Sequence, residues 1–219
     1  MDSTIKARIP SEGRRYEYRH ARGNPSHSYL LPVLQQVMND VSRLHPNERR
    51  AIDVGCGNGF VSHFMACGGF QVVGVDPSDH GIEIARKHFP EVEFYQGTAY
   101  EDLQSVVGQF DLTVSLEVVE HLYSPKTFVE TIFSLTKPGG VCVVSTPYHG
   151  YLKNLVLALA GRFDHHHQPL NEGGHIKFFS VPQLTALLEG AGFRVRQICR
   201  LGRFPALAKS TVVIAERLV

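Results

Sequence analysis

The chain has 219 residues, 43% of them apolar, which is enough for one well-buried core and short for two ordinary domains, so a single domain over 1–219 is expected. Its 22 basic and 21 acidic side chains nearly cancel, which argues against a surface that tracks nucleic acid phosphates or anionic lipid. Four cysteines, Cys56, Cys67, Cys142 and Cys199, stand far apart with no C-x-x-C pair, so neither a zinc knuckle nor a disulfide framework is expected and a reducing cytoplasm fits; no apolar run approaches the roughly 20 residues that span a bilayer.

Residues 1–24 carry six Lys or Arg (Lys6, Arg8, Arg14, Arg15, Arg19 and Arg22) against three acids and lack the apolar stretch of a secretory signal, so they read as a mobile arm. Between Ser26 and Leu44 the apolar residues Tyr29, Leu30, Val33, Leu34, Val37, Met38 and Val41 recur every three or four positions, which predicts a helix with one buried face, ended by a turn at Pro46. From Ala51 short β-branched runs alternate with helical stretches: AIDVG, then 59–67; QVVGVD, then 78–88; VEFYQG; FDLTVSL, then 124–136; GVCVVST. Such alternation predicts parallel strands joined by crossover helices in an open sheet covered on both faces. A helix over 180–191, closed by Gly190 and Gly192, leads to FRVRQIC and STVVIAERL, which can pair as a closing hairpin.

The segment 147–179 is far longer than a usual strand-to-helix connection, and it leaves the fifth strand where the acceptor of a reaction would sit. Leu152, Leu155, Val156, Leu157 and Leu159 are expected to make that pocket apolar, suiting a phenolic, quinol or lipid-like small molecule; the same residues could instead cover the core or touch a membrane surface. Five histidines fall between 149 and 175, and the run His165, His166 and His167 is expected to be a solvated stretch.

Asp53-Val54-Gly55-Cys56-Gly57-Asn58-Gly59 follows the first strand and opens the next helix, the place where an open α/β sheet binds its cofactor. A dinucleotide fingerprint needs a third glycine where Phe60 stands, which weakens a nicotinamide-dependent oxidoreductase. Asp53, ahead of the first glycine, suits a cationic amino acid moiety, and Asp76, at the end of the second strand, can accept hydrogen bonds from two ribose hydroxyls. That combination favours S-adenosylmethionine. Glu117, Glu120 and His121 follow the fourth strand at spacings expected to put all three on one helical face, a plausible site for Mg²⁺ or another divalent cation with His175 as a further ligand; the plain alternative is a solvated helix start. Glu117, His121 and His149 are the candidate catalytic groups, since a hydroxyl acceptor must lose its proton, to a base or by lowering of its pKa on a cation.

DVGCGNG, VVGVDPS, GTAYEDL, FDLTVSLEVVEHL and KPGGVCVVSTP resemble the ordered motifs of class I methyltransferases over roughly residues 50–147. The resemblance implies a Rossmann-like, seven-stranded, mostly parallel sheet with one antiparallel strand and helices on both faces. It implies that Asp53, Gly55, Cys56, Gly57 and Asn58 hold the methionine end, Asp76 and Pro77 the ribose, and that Thr98, Ala99, Leu116 and Glu117 line the adenine and its far side. EVVEHL, STPYHGYLKN and GGHIKFFS are similar in particular to the ubiquinone-biosynthesis O-methyltransferases, and the two Glu and two His are also similar to those of small-RNA 2′-O-methyltransferases, where they bind Mg²⁺. Pro147-Tyr148-His149 departs from the Asn-Arg pair usual in the ubiquinone family. An RNA acceptor is the second reading and a non-catalytic S-adenosylmethionine-binding protein the third.

Overall fold

The computed structural model describes residues 18, 20–46, 49–167, 170 and 174–219, so most of the expected mobile arm, residues 1–17 and 19, lies outside the described residues. Helix α1 (His27–Leu44) buries Leu30, Leu34, Val37, Met38 and Val41, the stripe its periodicity predicts. The chain then alternates through β1 (Arg50–Val54), α2 (Phe60–Cys67), β2 (Gln71–Asp76), α3 (Asp79–His88), β3 (Glu93–Gln96), α4 (Leu103–Val107) and β4 (Phe110–Leu116). After a 3₁₀ turn at Val119–His121 come α5 (Pro125–Leu135) and β5 (Thr136–Pro147). The long connection folds as α6 (Tyr151–Leu159) and α7 (Phe163–His167), and the chain closes with α8 (Val181–Gly190), β6 (Phe193–Leu201), a second 3₁₀ turn at Pro205–Leu207 and β7 (Ser210–Arg217).

The seven strands lie in the order β3-β2-β1-β4-β5-β7-β6. All pairings are parallel except those of β7, which runs antiparallel to both β5 and β6. The expected closing hairpin is present, with its second strand inserted against β5. Because both faces are covered, successive strand residues are buried on opposite sides. Ala51, Leu112, Val114, Val143 and Val212 pack with α1, α2 and α3, whereas Ile52, Val54, Val73, Val144 and Val213 pack with α5 and α8. Phe128 and Ile132 of α5 and Leu188 of α8 are fully buried there, each stabilising the fold by roughly 1.5–3 kcal/mol.

Strand β1 pairs with β2 on one side and β4 on the other, so the chain winds outward to β3 and then returns across β1. Connections leave in opposite directions at that point, the carboxyl ends of β1 and β4, which is where open sheets of this topology bind their ligands. No helix among the described residues is long and apolar enough to cross a membrane.

Candidate active site

The glycine loop turns over the carboxyl end of β1. Gly55 and Cys56 donate their N–H groups to the Val75 carbonyl at 2.7 and 3.1 Å, tying the loop to β2. Gly55 has φ +84°, and a Cβ there would lie 2.4 Å from Val118 Cγ2, so only glycine allows the turn and the close approach of β4's extension. The Asp76 carboxylate faces the loop: Oδ2 accepts the Gly57 N–H at 2.8 Å and Oδ1 accepts the Ser78 N–H at 2.8 Å, while burial raises its pKa. Each oxygen retains a lone pair, which suits two vicinal hydroxyls. Asp53 is buried, accepts the Ser62 hydroxyl at 2.8 Å and is pushed up to about 7, chiefly by burial. Thr98 and Ala99 follow β3, on the edge that Gly97 fixes by donating to the Asp76 carbonyl at 3.2 Å.

Three expected cofactor contacts are placed differently. The Cys56 thiol is buried in the core beside Phe94, so only its backbone is available to a ligand, and Pro77 is exposed. The Asn58 amide donates to the carbonyls of His20 and Arg22 at 2.8 and 3.0 Å, fastening the segment ahead of α1 across the loop instead of pointing freely toward a methionine end. Tyr18 lies against Gly57 and Gly81 in the same strap. The described end of the expected mobile arm is therefore held on the glycine loop.

Glu117, Glu120 and His121 do not share a helical face. Glu117 sits in the left-handed region at φ +57°, and only the single 3₁₀ turn follows it. Its carboxylate accepts the Ser145 hydroxyl at 2.8 Å, its own N–H donates to the same hydroxyl at 2.9 Å, and Ser210 adds a further hydrogen bond. Burial pushes it up to about 7 against the opposing pull of these serines and Lys153.

Glu120 points elsewhere. It is 1% exposed and neither carboxylate oxygen makes a well-formed hydrogen bond, although the Thr146 side chain stands close enough to act on it, an expensive arrangement unless something else binds there. His121 Nε2 and His175 Nε2 lie 3.9 and 4.0 Å from its Oε1. The Glu120 carbonyl accepts the N–H groups of both Ile176 and Lys177 at 2.9 Å, which is what brings His175 alongside. His121 Nδ1 lies 3.2 Å from the Gly174 carbonyl, and since a carbonyl only accepts, that nitrogen is the donor, which leaves Nε2 on the side of Glu120. Burial drives Glu120 well above the ordinary carboxyl range, with Glu117 adding to the effect. Among the described residues Glu120, His121 and His175 form the one cluster of cation-ligating atoms, all within 4.8 Å; Glu117, an expected ligand, is not in it, because its carboxylate is turned to the serines.

Beyond this cluster lies a cavity of about 270 Å³ between the end of β5, α6, α7 and the loop before β7. Val156 and Leu157 line it as expected, Val156 being itself exposed, whereas Leu152, Leu155 and Leu159 are exposed and not part of its wall, which also carries Lys153, His149, His166 and His167. His165 and His166 are exposed, as expected of a solvated run, while His166 and His167 also stand against His149 at ring separations of 6.0 and 5.8 Å. His149, expected as a base near neutral pH, is pushed down to about 4 by burial and the surrounding Lys153, His167 and His166, so it is neutral and holds a proton weakly. Ser145, Ser210 and Lys153 are the site residues that the sequence does not mark, since only the register that sets Pro147 opposite Ser210 brings the two serines together around Glu117.

A family described as a methyltransferase domain matches residues 26–198. A ubiquinone biosynthesis O-methyltransferase of Azorhizobium caulinodans is 34% identical over 173 residues, covering 76% of this chain and 67% of that protein. Another from Roseobacter denitrificans is 36% identical over 148 residues, covering 65% of this chain and 59% of that protein, so the chain spans only part of these relatives' length. Among solved structures, magnesium protoporphyrin IX methyltransferase of Synechocystis PCC 6803 with bound SAH superposes with TM-score 0.61 at 19% identity, covering 90% of this chain and 89% of the other. An S-adenosylmethionine dependent methyltransferase of Mesorhizobium loti gives TM-score 0.63 at 18% identity, covering 84% and 96%. At such identities these two likenesses concern the fold.

Proposed function

Because the chain belongs to the methyltransferase domain family, we propose that it methylates an oxygen of a small phenolic, quinol or lipid-like acceptor, with a divalent cation held by Glu120, His121 and His175. It is an S-adenosylmethionine-dependent methyltransferase, and the ubiquinone-biosynthesis O-methyltransferases among its relatives support an oxygen acceptor. A small molecule is favoured over RNA by the near balance of 22 basic and 21 acidic side chains.

The observation that carries the metal-assisted reading is the Glu120 carboxyl, buried, with no well-formed hydrogen bond, only the Thr146 side chain acting on it, and two imidazole nitrogens beside it. A carboxylate and two imidazoles suit Mn²⁺, Fe²⁺ or Zn²⁺, and Mg²⁺ with added water ligands. His121 and His175 keep 36% and 39% of their side-chain surface exposed, which leaves an open side for an acceptor oxygen. A cation held there would supply positive charge that lowers the pKa of an acceptor hydroxyl, and S-adenosylmethionine, when bound, would supply a methyl group already activated by its sulfonium.

The chain's own residues do the rest. Asp76 and the glycine loop orient the nucleoside, and Glu117, poised near neutral pH at the end of β4, takes the acceptor proton. Ser145 and Ser210 fix the Glu117 carboxylate and hold down the pKa that burial raises. Alignment is the main demand of an in-line displacement, which is why these groups stand on strand ends and not on the long connection.

Metal analysis and Mn²⁺ titration test the cation. One equivalent is expected in the wild type and none in Glu120→Ala/His175→Ala, with S-adenosylmethionine binding retained in both. Equal Mn²⁺ affinity in the double variant would refute the assignment.

A further inference from the structure

Three cations, Arg203 and Lys209, which no step above uses, and Lys153, which pulls on Glu117, line the cavity between the end of β5 and α6, the Lys209 ammonium lying 5.7 Å from the centroid of the Tyr29 ring. In a chain whose net charge is only +1, this gathering is specific, and no acid is found among the described residues of the wall. None of the three forms an ion pair with a described residue. Their positions are built. Lys153 Nζ donates to the Tyr148 carbonyl at 2.7 Å, which holds the ammonium over the strand end. The Tyr148 N–H donates to the Lys209 carbonyl at 2.8 Å and the Lys209 N–H to that of Leu201 at 2.8 Å, which fixes the loop carrying Arg203 beside His149. His149 is 7% exposed, its Nδ1 makes no well-formed hydrogen bond, and the Asn154 side chain stands near it.

A concave site lined by one sign of charge concentrates its field, and gathering like charges costs free energy that an opposite charge recovers. The bases themselves register that field: burial and Arg203 lower Lys153, and burial and Lys153, followed by His167 and His166, lower His149. The cavity also adjoins the reacting groups, since Pro147 and His175 line it and Lys153 acts electrostatically on Glu117.

Building on the methyltransferase reading, we propose that this cavity receives an anionic group of the acceptor, a carboxylate or a phosphate, held by Lys153, Arg203 and Lys209 while the hydroxyl to be methylated lies toward Glu117 and Glu120. His149 Nδ1 supplies a further polar contact, and Val156, Leu157 and Leu207 cover the apolar body of the molecule. The acceptor is then an aromatic or aliphatic hydroxy-acid or a phosphate ester, not a neutral quinol. Charge-assisted hydrogen bonds of this kind are the stronger ones available to a protein.

Paired ligands that differ only in the anion test this by calorimetry, with and without saturating S-adenosylhomocysteine: 3,4-dihydroxybenzoate against catechol, and phenyl phosphate against phenol. The anionic member of at least one pair is expected to bind at least about tenfold more tightly. Which pair shows the larger ratio tells carboxylate from phosphate. In Arg203→Gln/Lys209→Gln, both exposed positions, the ratio is expected to fall below about threefold while catechol affinity is unchanged. Equal binding within both pairs, no binding of any of the four, or a ratio that survives the double substitution would overturn the assignment. Absence of S-adenosylhomocysteine binding would count against the methyltransferase reading instead, and the paired ratios still decide the anion site.

Discussion

Ser145 Oγ donates to Glu117 Oε1 at 2.8 Å and accepts the Glu117 N–H at 2.9 Å, so one hydroxyl holds both the carboxylate and the backbone of a residue at φ +57°. A non-glycine residue persists in that region only where its surroundings over-determine it, and such positions cluster at functional sites. The kcat/KM profile should therefore rise with pH to a midpoint near 7, as the Glu117 carboxyl loses its proton. In Ser145→Ala the hydrogen bond that favours the carboxylate is gone, and the midpoint should move up with a loss of roughly tenfold in rate below it. An unmoved midpoint would remove Glu117 from the role of base.

The same titration has a consequence for stability. A carboxyl whose native pKa lies above its unfolded value keeps its proton longer in the native state, so its contribution is full below the unfolded value and is lost as pH rises through the native one. For Glu117 the window runs from 4.5 to about 7. His149 and His175, both pushed down to about 4, act oppositely as pH falls below their ordinary value. The comparison is therefore between proteins: from pH 5 to pH 8 the wild type should lose roughly 5 °C more in Tm than Glu117→Gln, read by calorimetry without ligands.

Gly55→Ala should destabilise by roughly 1–3 kcal/mol and weaken nucleoside binding, because the new Cβ meets Val118 at 2.4 Å and the backbone stays at φ +84°. Adding Val118→Ala removes the clash but not the backbone strain, so chemical denaturation should show partial recovery only.

Glu120→Met should abolish Mn²⁺ binding yet stabilise the metal-free protein by roughly 1–3 kcal/mol, since it removes a buried carboxyl that makes no well-formed hydrogen bond. A less stable metal-free variant would mean that Glu120 already has a compensating partner.

Much of the fold was legible in the chain. The alternation of β-branched runs with helical stretches, the glycine loop and the closing FRVRQIC and STVVIAERL pair gave the sheet and its antiparallel end, since each depends on short-range pattern. The position of Asp76 at the end of a strand beside the glycine loop was legible as well, while its role toward a ribose stays a proposal. What depends on long-range register was not. Ser210 reaches Glu117 only because β7 lies antiparallel to β5, and Arg203 joins Lys153 across about fifty residues. Spacing also misled at Glu117, where a left-handed residue and a 3₁₀ turn replace the helix that would have aligned it with Glu120.

The most direct test of the central claim is a calorimetric titration with S-adenosylmethionine of the wild type and of Asp76→Ala, alongside the conservative Asp76→Asn. One nucleoside per chain is expected, with affinity reduced at least about a hundredfold in Asp76→Ala, the scale of two hydrogen bonds to a charged group, and partly retained in Asp76→Asn. Unchanged affinity in a folded Asp76→Ala would mean that the ribose does not rest on that carboxylate and that the carboxyl ends of β1 and β4 are not where the methyl donor binds.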